Sequence, residues 1–406
     1  MTETTMTETL AETIRESIEA RREQIVALCA ELVSHRSVNP EGDTRAMSAA
    51  VLTALADFGV RARLEQAVPT MPSVVAELDS GRPGPHLVLN VHMDTMPAGD
   101  ETAWSVPIYE LTRRDGRLYG LGMGNMKGSV AAMIHAVGLL TEHPEAWRGR
   151  VTFTAVSDEV VFGENGAAHL LRTVPGIVGD GMLCGEGPGF HRLALGEKGV
   201  LWLSLSATGD AGHSSSVKQG RSATARLAAV VSQIDSLNGT RVDPPADLVG
   251  VVDPQDPGFE LTANVGTIRS GTFIGQVAVD GTAEIDLRVP PGMTIDDAQR
   301  LVTVIAEQVG GVAVHRIKGW NPNWTSPDSA IGRAWMNAHE RHGFEAPRFA
   351  VRLPASDASR WRLRGTPALC FGPQPTLSAG IDDYAEEDEV LRCAVLFATT
   401  AMGFLS

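Results

Sequence analysis

The sequence predicts an α/β fold, a mostly parallel sheet flanked by helices, with a small α+β unit inserted into it. Three observations carry this. Apolar runs of strand length alternate with helical patterns at both ends of the chain. Between them the element order reads β-α-β-β-α-β, the ferredoxin-like unit. A chain of 406 residues, 43% of them hydrophobic, is long enough for two cores.

Taken in order, Ile14–Ser34 reads as an amphipathic helix, with Ile25, Leu28, Leu32 and Val33 on one side. Ser48–Phe58 is a second helix. Ser73–Leu78 and His86–Asp94 are strands, the latter nearly all apolar, as in a sheet covered on both faces. A glycine-rich stretch, Gly120–Gly128, leads into a helix through Leu140. Val151–Val156 is a further buried strand, and Gly166–Leu171 a helix. The character changes near Glu197. Val200–Thr208 alternates as a half-buried strand. Helix Ala223–Leu237, strands Leu261–Ile268 and Gln276–Arg288, helix Ile295–Val309 and strand Ala313–Lys318 complete the inserted unit. Helix Ala330–His342, strand Pro367–Phe371 and helix Glu387–Met402 return to the first style. The implied domains are 1–197 with 316–406, and a lid at 198–315.

Composition narrows the function. The net charge of −15 disfavours nucleic acid and anionic membranes as partners and leaves small polar molecules. The longest apolar runs are about 12 residues, and a membrane span needs about 20. The polar, acidic start resembles neither a secretory nor a transit peptide. Cys29, Cys184, Cys370 and Cys393 lie far apart without metal spacing. A cytoplasmic protein is expected.

Candidate chemistry gathers at strand ends. His92 and Asp94, two apart, share a face at the end of one strand, where α/β enzymes place their sites. Asp158 and Glu159 end another strand, and a carboxylate there can act as a general base. Glu186 follows a third apolar segment. Groups of this kind could converge on a metal. The acidic run Asp382–Glu389 reads as a solvated loop and helix start.

These residues carry a resemblance. The chain is similar, nearly end to end, to the superfamily of zinc-dependent aminoacylases, carboxypeptidase G and succinyl-diaminopimelate desuccinylases. His92-Met-Asp94-Thr-Met-Pro97 resembles its His-x-Asp-x-x-Pro. Gly120-Leu-Gly-Met-Gly-Asn125-Met-Lys127-Gly128 resembles its Gly-Arg-Gly-x-x-Asp-Met-Lys-Gly. Gly212-His213-Ser214-Ser215 resembles its Ala/Gly-His-Ser-Ser. Asn264, the stretch Ile285–Gly292 and Ser356-Asp357-Ala358 also fall at family positions. The resemblance implies Glu159 as proton carrier and Asp94 as the group orienting His92. It implies His213 as an oxyanion stabiliser reaching across a lid-to-lid homodimer. Substrate contacts fall to Asn264, Arg288 and Ser356. An internal Arg288–Asp286 pair is the competing reading for Arg288.

The departures are as informative. The superfamily binds two zinc ions through five ligands. Here its bridging Asp is Asn125, a ligand Glu is Val160, and the late His is Ala379, or Gly380 one place on. His92 and Glu186 survive. One remaining carboxylate ligand cannot neutralise two dications, so at most one ion is expected, a zinc on His92, Glu186 and Asn125, or none. The implied activity is hydrolysis of an amide bond in a small carboxylate-bearing molecule of N-acyl amino acid type. Metal-independent synthesis, acyl transfer or elimination on the same scaffold is an alternative, and a non-catalytic binding homologue another.

Overall fold

The computed structural model describes residues 3–373 and 380–406. Ala379 lies outside them. The chain forms two compact units. The first comprises Met1–Leu195, Thr325–Ala350 and Ser356–Ser406, and the second Gly196–Trp324 with Val351–Ala355.

The main sheet, nine-stranded among the described residues, includes β1 (Ala62–Glu65), β2 (Ser73–Asp79), β3 (His86–His92), β4 (Arg150–Val156), β5 (Gly181–Cys184), β6 (Arg192–Glu197) and β7 (Ala368–Cys370), with the short strands Asn323–Trp324 and Arg348–Arg352 beside β6. Their spatial order is β1-β2-β4-β3-β5-β7-β6. The expected parallel arrangement holds at the centre, where β4, β3, β5 and β7 pair in parallel. Towards the edges β1–β2, β2–β4 and β7–β6 are antiparallel, so the sheet is mixed. Every residue of β3 is buried, as its unbroken apolar run requires. Helix Gly128–Glu142 is buried through Leu140 and packs against helix Glu387–Phe404. The single helix expected over Ile14–Ser34 is two, Glu3–Ala20 and Arg22–Ser34. The break falls at Arg21, whose guanidinium pairs with Glu142 at 2.6 Å.

The second unit has four antiparallel strands. In spatial order they are Thr262–Ser270, Asp280–Val289, Gly199–Thr208 and Val312–Trp320. Helices Ala223–Asp235 and Ile295–Val309 cover one face, over Leu201, Leu203, Leu205, Ile285 and Leu287. A capping box between Thr294 and Asp297 starts the second helix. This is the expected β-α-β-β-α-β unit. Its end differs from the expected 315: strand Val312–Trp320 pairs along its length with Gly199–Thr208, and a boundary inside it would split that ladder.

Candidate active site

The strand order brings three chain-distant segments together. β3 lies between β4 and β5, all parallel, with His92 level with Val156 and Asn90 level with Cys184. The carboxyl ends of the three strands therefore adjoin, the usual place for an α/β site. His92 ends β3, Glu159 follows β4 by three residues, and Glu186 follows β5 by two. All three are buried, and one ligand atom from each lies within 4.8 Å of the others.

Hydrogen bonds fix the orientation of His92. Its Nδ1 donates to the Asp94 carbonyl at 2.9 Å, and the Asp94 carboxylate stands 3.5 Å away. Nε2 is thereby aimed at Asn125 Oδ1, 3.1 Å distant, and at Glu159 Oε2, 3.7 Å distant. Burial opposes charge on His92. The hydrogen bond to Asp94 and the charges of Glu159, Asp94 and Glu186 outweigh it and raise its pKa to about 10. Asp94 is itself saturated. It accepts from the backbone N–H groups of Glu159 (3.2 Å) and Val160 (2.9 Å) and from the Asn39 amide (3.0 Å). Burial works against that carboxylate, but His92 and these donors hold it below the usual range. Glu159 is displaced the other way. Burial first, then the charge of Glu186, raises its pKa well above the ordinary value, with His92 opposing.

Two loops hold the set. The turn after β4 winds around Asp158, which sits at φ +70°. Asp158 accepts from the N–H of Asn165 at 2.9 Å and from the Asn39 amide at 3.3 Å. A Cβ at Gly163 would stand 2.0 Å from an Asp158 carboxylate oxygen, so a larger residue there would push that carboxylate aside. Arg360 closes the same turn, donating to the Gly163 carbonyl at 2.6 Å and lying 4.0 Å over the Phe162 ring. The second loop carries Asn125. Asp383 accepts from the N–H of Gly122 (2.8 Å) and of Gly124 (3.1 Å). Lys127 is buried and donates to the His35 carbonyl at 3.0 Å. Burial lowers Lys127 to about 7, with Asp383 opposing.

Several sequence expectations change here. Asp383 and Glu387, expected on a solvated loop, are buried. Glu387 is gripped by Arg22 and Arg113, with contacts of 2.6 Å to each. Ser356, expected to contact substrate, is wholly buried with its hydroxyl 3.3 Å from Cys370 Sγ. Its neighbour Asp357, part of the same motif but given no role by it, is the further carboxylate here. It is 2% exposed, and Oδ2 has no hydrogen-bond partner among the described residues. Burial pushes Asp357 up to about 7, Arg360 and His92 opposing and Glu186 reinforcing. No local signal could have found Asn39, whose partners are 55 and 119 residues away.

The remaining candidates lie in the second unit. His213 is exposed, and its Nδ1 accepts from the Ser215 N–H at 3.2 Å. Asn264 is exposed and stands opposite Asp286 in the ladder. Arg288 donates to Asp286 Oδ2 through two nitrogens, at 2.9 and 3.1 Å, which is the internal pair.

The residues fit a divalent ion. An imidazole, two carboxylates and an amide oxygen suit a single dication. The Val160 side chain has no ligand atom, and its N–H goes to Asp94. Among the described residues, no second group of three such ligand atoms lies this close. Residues 374–379, Gln-Pro-Thr-Leu-Ser-Ala, contain none of these residue types. No helix among the described residues is long and apolar enough to cross a membrane.

Comparison with known proteins agrees with the fold. The profile of "Peptidase family M20/M25/M40" matches residues 88–403. A succinyl-diaminopimelate desuccinylase of Rhodospirillum centenum is 27% identical over 326 residues, 79% of this chain and 81% of that protein. A probable carboxypeptidase of Ajellomyces capsulatus is 31% identical over 237 residues, 57% of this chain and 52% of that one. Among solved structures, an M20 family metallo-carboxypeptidase of Sulfolobus solfataricus superposes with a TM-score of 0.71 at 17% identity, covering 94% of this chain and 99% of that chain. A dinuclear metal binding peptidase of Bacillus subtilis, from the same family, gives 0.71 at 14% identity, covering 95% and 99%. The match extends over the site-bearing strands β3, β4 and β5, and through the whole second unit. Fold and enzyme class are those expected, a hydrolase of amide C–N bonds. The chain belongs to peptidase family M20/M25/M40.

Proposed function

We propose that this protein hydrolyses the amide bond of a small carboxylate-bearing molecule, of N-acyl amino acid or dipeptide type, with one divalent ion, zinc, at His92 and Glu186 and Asn125 beside it. One observation carries the reading: His92, Glu159 and Glu186 are buried together at the ends of three adjacent parallel strands. His92 and Glu186 would hold the zinc, which would supply Lewis-acid chemistry to water and carbonyl. Glu159 is the proton carrier: it stands 3.7 Å from His92 Nε2, and burial, which raises its pKa, favours a group that can take a proton and return it to the leaving amine. Asp94 sets the His92 tautomer and frees Nε2.

The substrate class is inferred from the names of the relatives, a desuccinylase and a probable carboxypeptidase. Asn264 and Arg288 are proposed for the substrate carbonyl and carboxylate. Arg288 has the fork for a bidentate clamp, and Asp286 holds that fork in place meanwhile. We also infer a homodimer through the lid. Val217, Phe273 and Ile274, exposed near His213, support it. Four buried, reduced cysteines fit a cytosolic setting.

The test is amine release from a panel of N-acetyl, N-succinyl and N-aminoacyl amino acids by zinc-loaded protein. Turnover of at least one class, with the matching carboxamides far poorer, is expected. Release from none, or amide formation from the free acid and amine instead, would overturn the reading.

A further inference from the structure

The inference rests on the amide-hydrolase reading and concerns which side chains hold its ion. Motif reading separates two jobs at this site, with His92 and Glu186 as ligands and Glu159 as proton carrier. The geometry does not separate them. The ligand atoms of His92, Glu159 and Glu186 all lie within 4.8 Å of one another. Ligands of a tetrahedral zinc ion stand about 3.4 Å apart, given bonds of about 2.1 Å. Small side-chain movements place all three on one ion. An ion that sits on His92 and Glu186 has Glu159 within reach.

Orientation points the same way. His92 Nδ1 is committed to Asp94, so Nε2 is the nitrogen open to a cation, which would bind there by displacing its proton. Nε2 faces oxygens, Asn125 Oδ1 at 3.1 Å and Glu159 Oε2 at 3.7 Å. Asp94 is unavailable, its carboxylate being held by two backbone N–H groups and the Asn39 amide. Asn125, held in its loop by Asp383, brings no charge.

We propose that this chain holds one divalent cation per molecule on His92, Glu159 and Glu186, with Glu159 a protein ligand in its own right. Charge selects the count. Two carboxylates in the cluster neutralise one dication, while Asp94 is already held by backbone N–H groups and the Asn39 amide and Asp357 is not part of the cluster. A carboxylate has two oxygens, so Glu159 can give one to the ion and keep the other for a proton. Ion retention and proton transfer then depend on one side chain, and a single substitution damages both.

Isothermal titration of the chelator-stripped full-length chain with zinc tests this without any substrate. The wild type should take up one ion per chain. Glu159→Gln should weaken binding at least about tenfold, as Glu186→Gln does, whereas Asn125→Ala should cost less. Two ions per chain, no uptake by the wild type, or a Glu159→Gln affinity within about twofold of the wild type would overturn the proposal. Should Glu159→Gln not fold, cobalt substitution of the wild type gives a second readout. Intense visible bands of a four-coordinate ion are expected, and the weak bands of a hydrated six-coordinate ion would contradict it. A protein that binds zinc in this way but hydrolyses nothing in the panel overturns the amide-hydrolase reading alone.

Discussion

His92, Asp94, Glu159 and Glu186 are at most 7% exposed, and every strand that delivers them is interior to the sheet. His213 and Asn264 in the second unit are exposed, and Arg288 sits half-buried on an acid of its own strand. The two regions pose different physical problems. Around His92, charge has been taken out of water and must be balanced by donors, by a cation, or by protons. Around Arg288, water does much of the balancing, and the side chains are held by a neighbour instead of by the fold. Substitutions in the first region should cost both stability and chemistry. In the second they should cost binding alone.

The largest expected effect is on turnover. Glu159→Gln in zinc-saturated protein should lower kcat by about 10³, at the scale of a lost acid–base group; a loss under tenfold would remove Glu159 from the chemistry. Stability should separate the regions next. Asp94→Asn leaves His92 and two backbone N–H groups without their anion, and should lower the unfolding free energy by about 3 kcal/mol in denaturant titrations. His213→Ala and Asn264→Ala should each change it by less than about 0.5 kcal/mol. Equal costs in the two regions would erase the comparison. Arg288→Lys should raise KM for carboxylate substrates about tenfold and leave kcat nearly unchanged, because a point charge replaces a fork. The same change for the carboxamides would mean that the Asp286 pair is its whole role.

The smallest effect is on pH. Burial lowers His135 and His342 of the first unit to about 4 each. In the unfolded chain they titrate near their ordinary value, about 6.5. Between these values the unfolded chain binds more protons, so this contribution to stability is present above about pH 6.5 and is lost as pH falls towards 4. The melting temperature should drop over that window, and His342→Gln should flatten the drop. An unchanged slope in that variant would assign acid sensitivity to other groups.

Much of the first region was legible because its strands are long apolar runs that end in His or Glu. The β3 segment announced both a buried strand and a site at its end. What escaped depends on contacts distant in sequence. Asn39 and Asp383 hold the site through partners tens to hundreds of residues away, which no local spacing encodes. Ser356 fell at a motif position, yet its hydroxyl turns to Cys370, a neighbour set by the pairing of β5 and β7. The antiparallel edges were missed because β1 is four residues long, too short for a periodic pattern to show, and because strand direction is set by pairing between distant segments. In the second unit the alternation along Val200–Thr208 and the helical stripe of Ile295–Val309 were enough to set the topology.

If one ion shared by His92, Glu159 and Glu186 makes this chain an amide hydrolase, activity must follow zinc equivalents added to stripped protein with the best substrate of the panel. No turnover is expected without metal, then a linear rise that breaks at one zinc per chain. A break at two per chain, or full activity in the stripped protein, would contradict it.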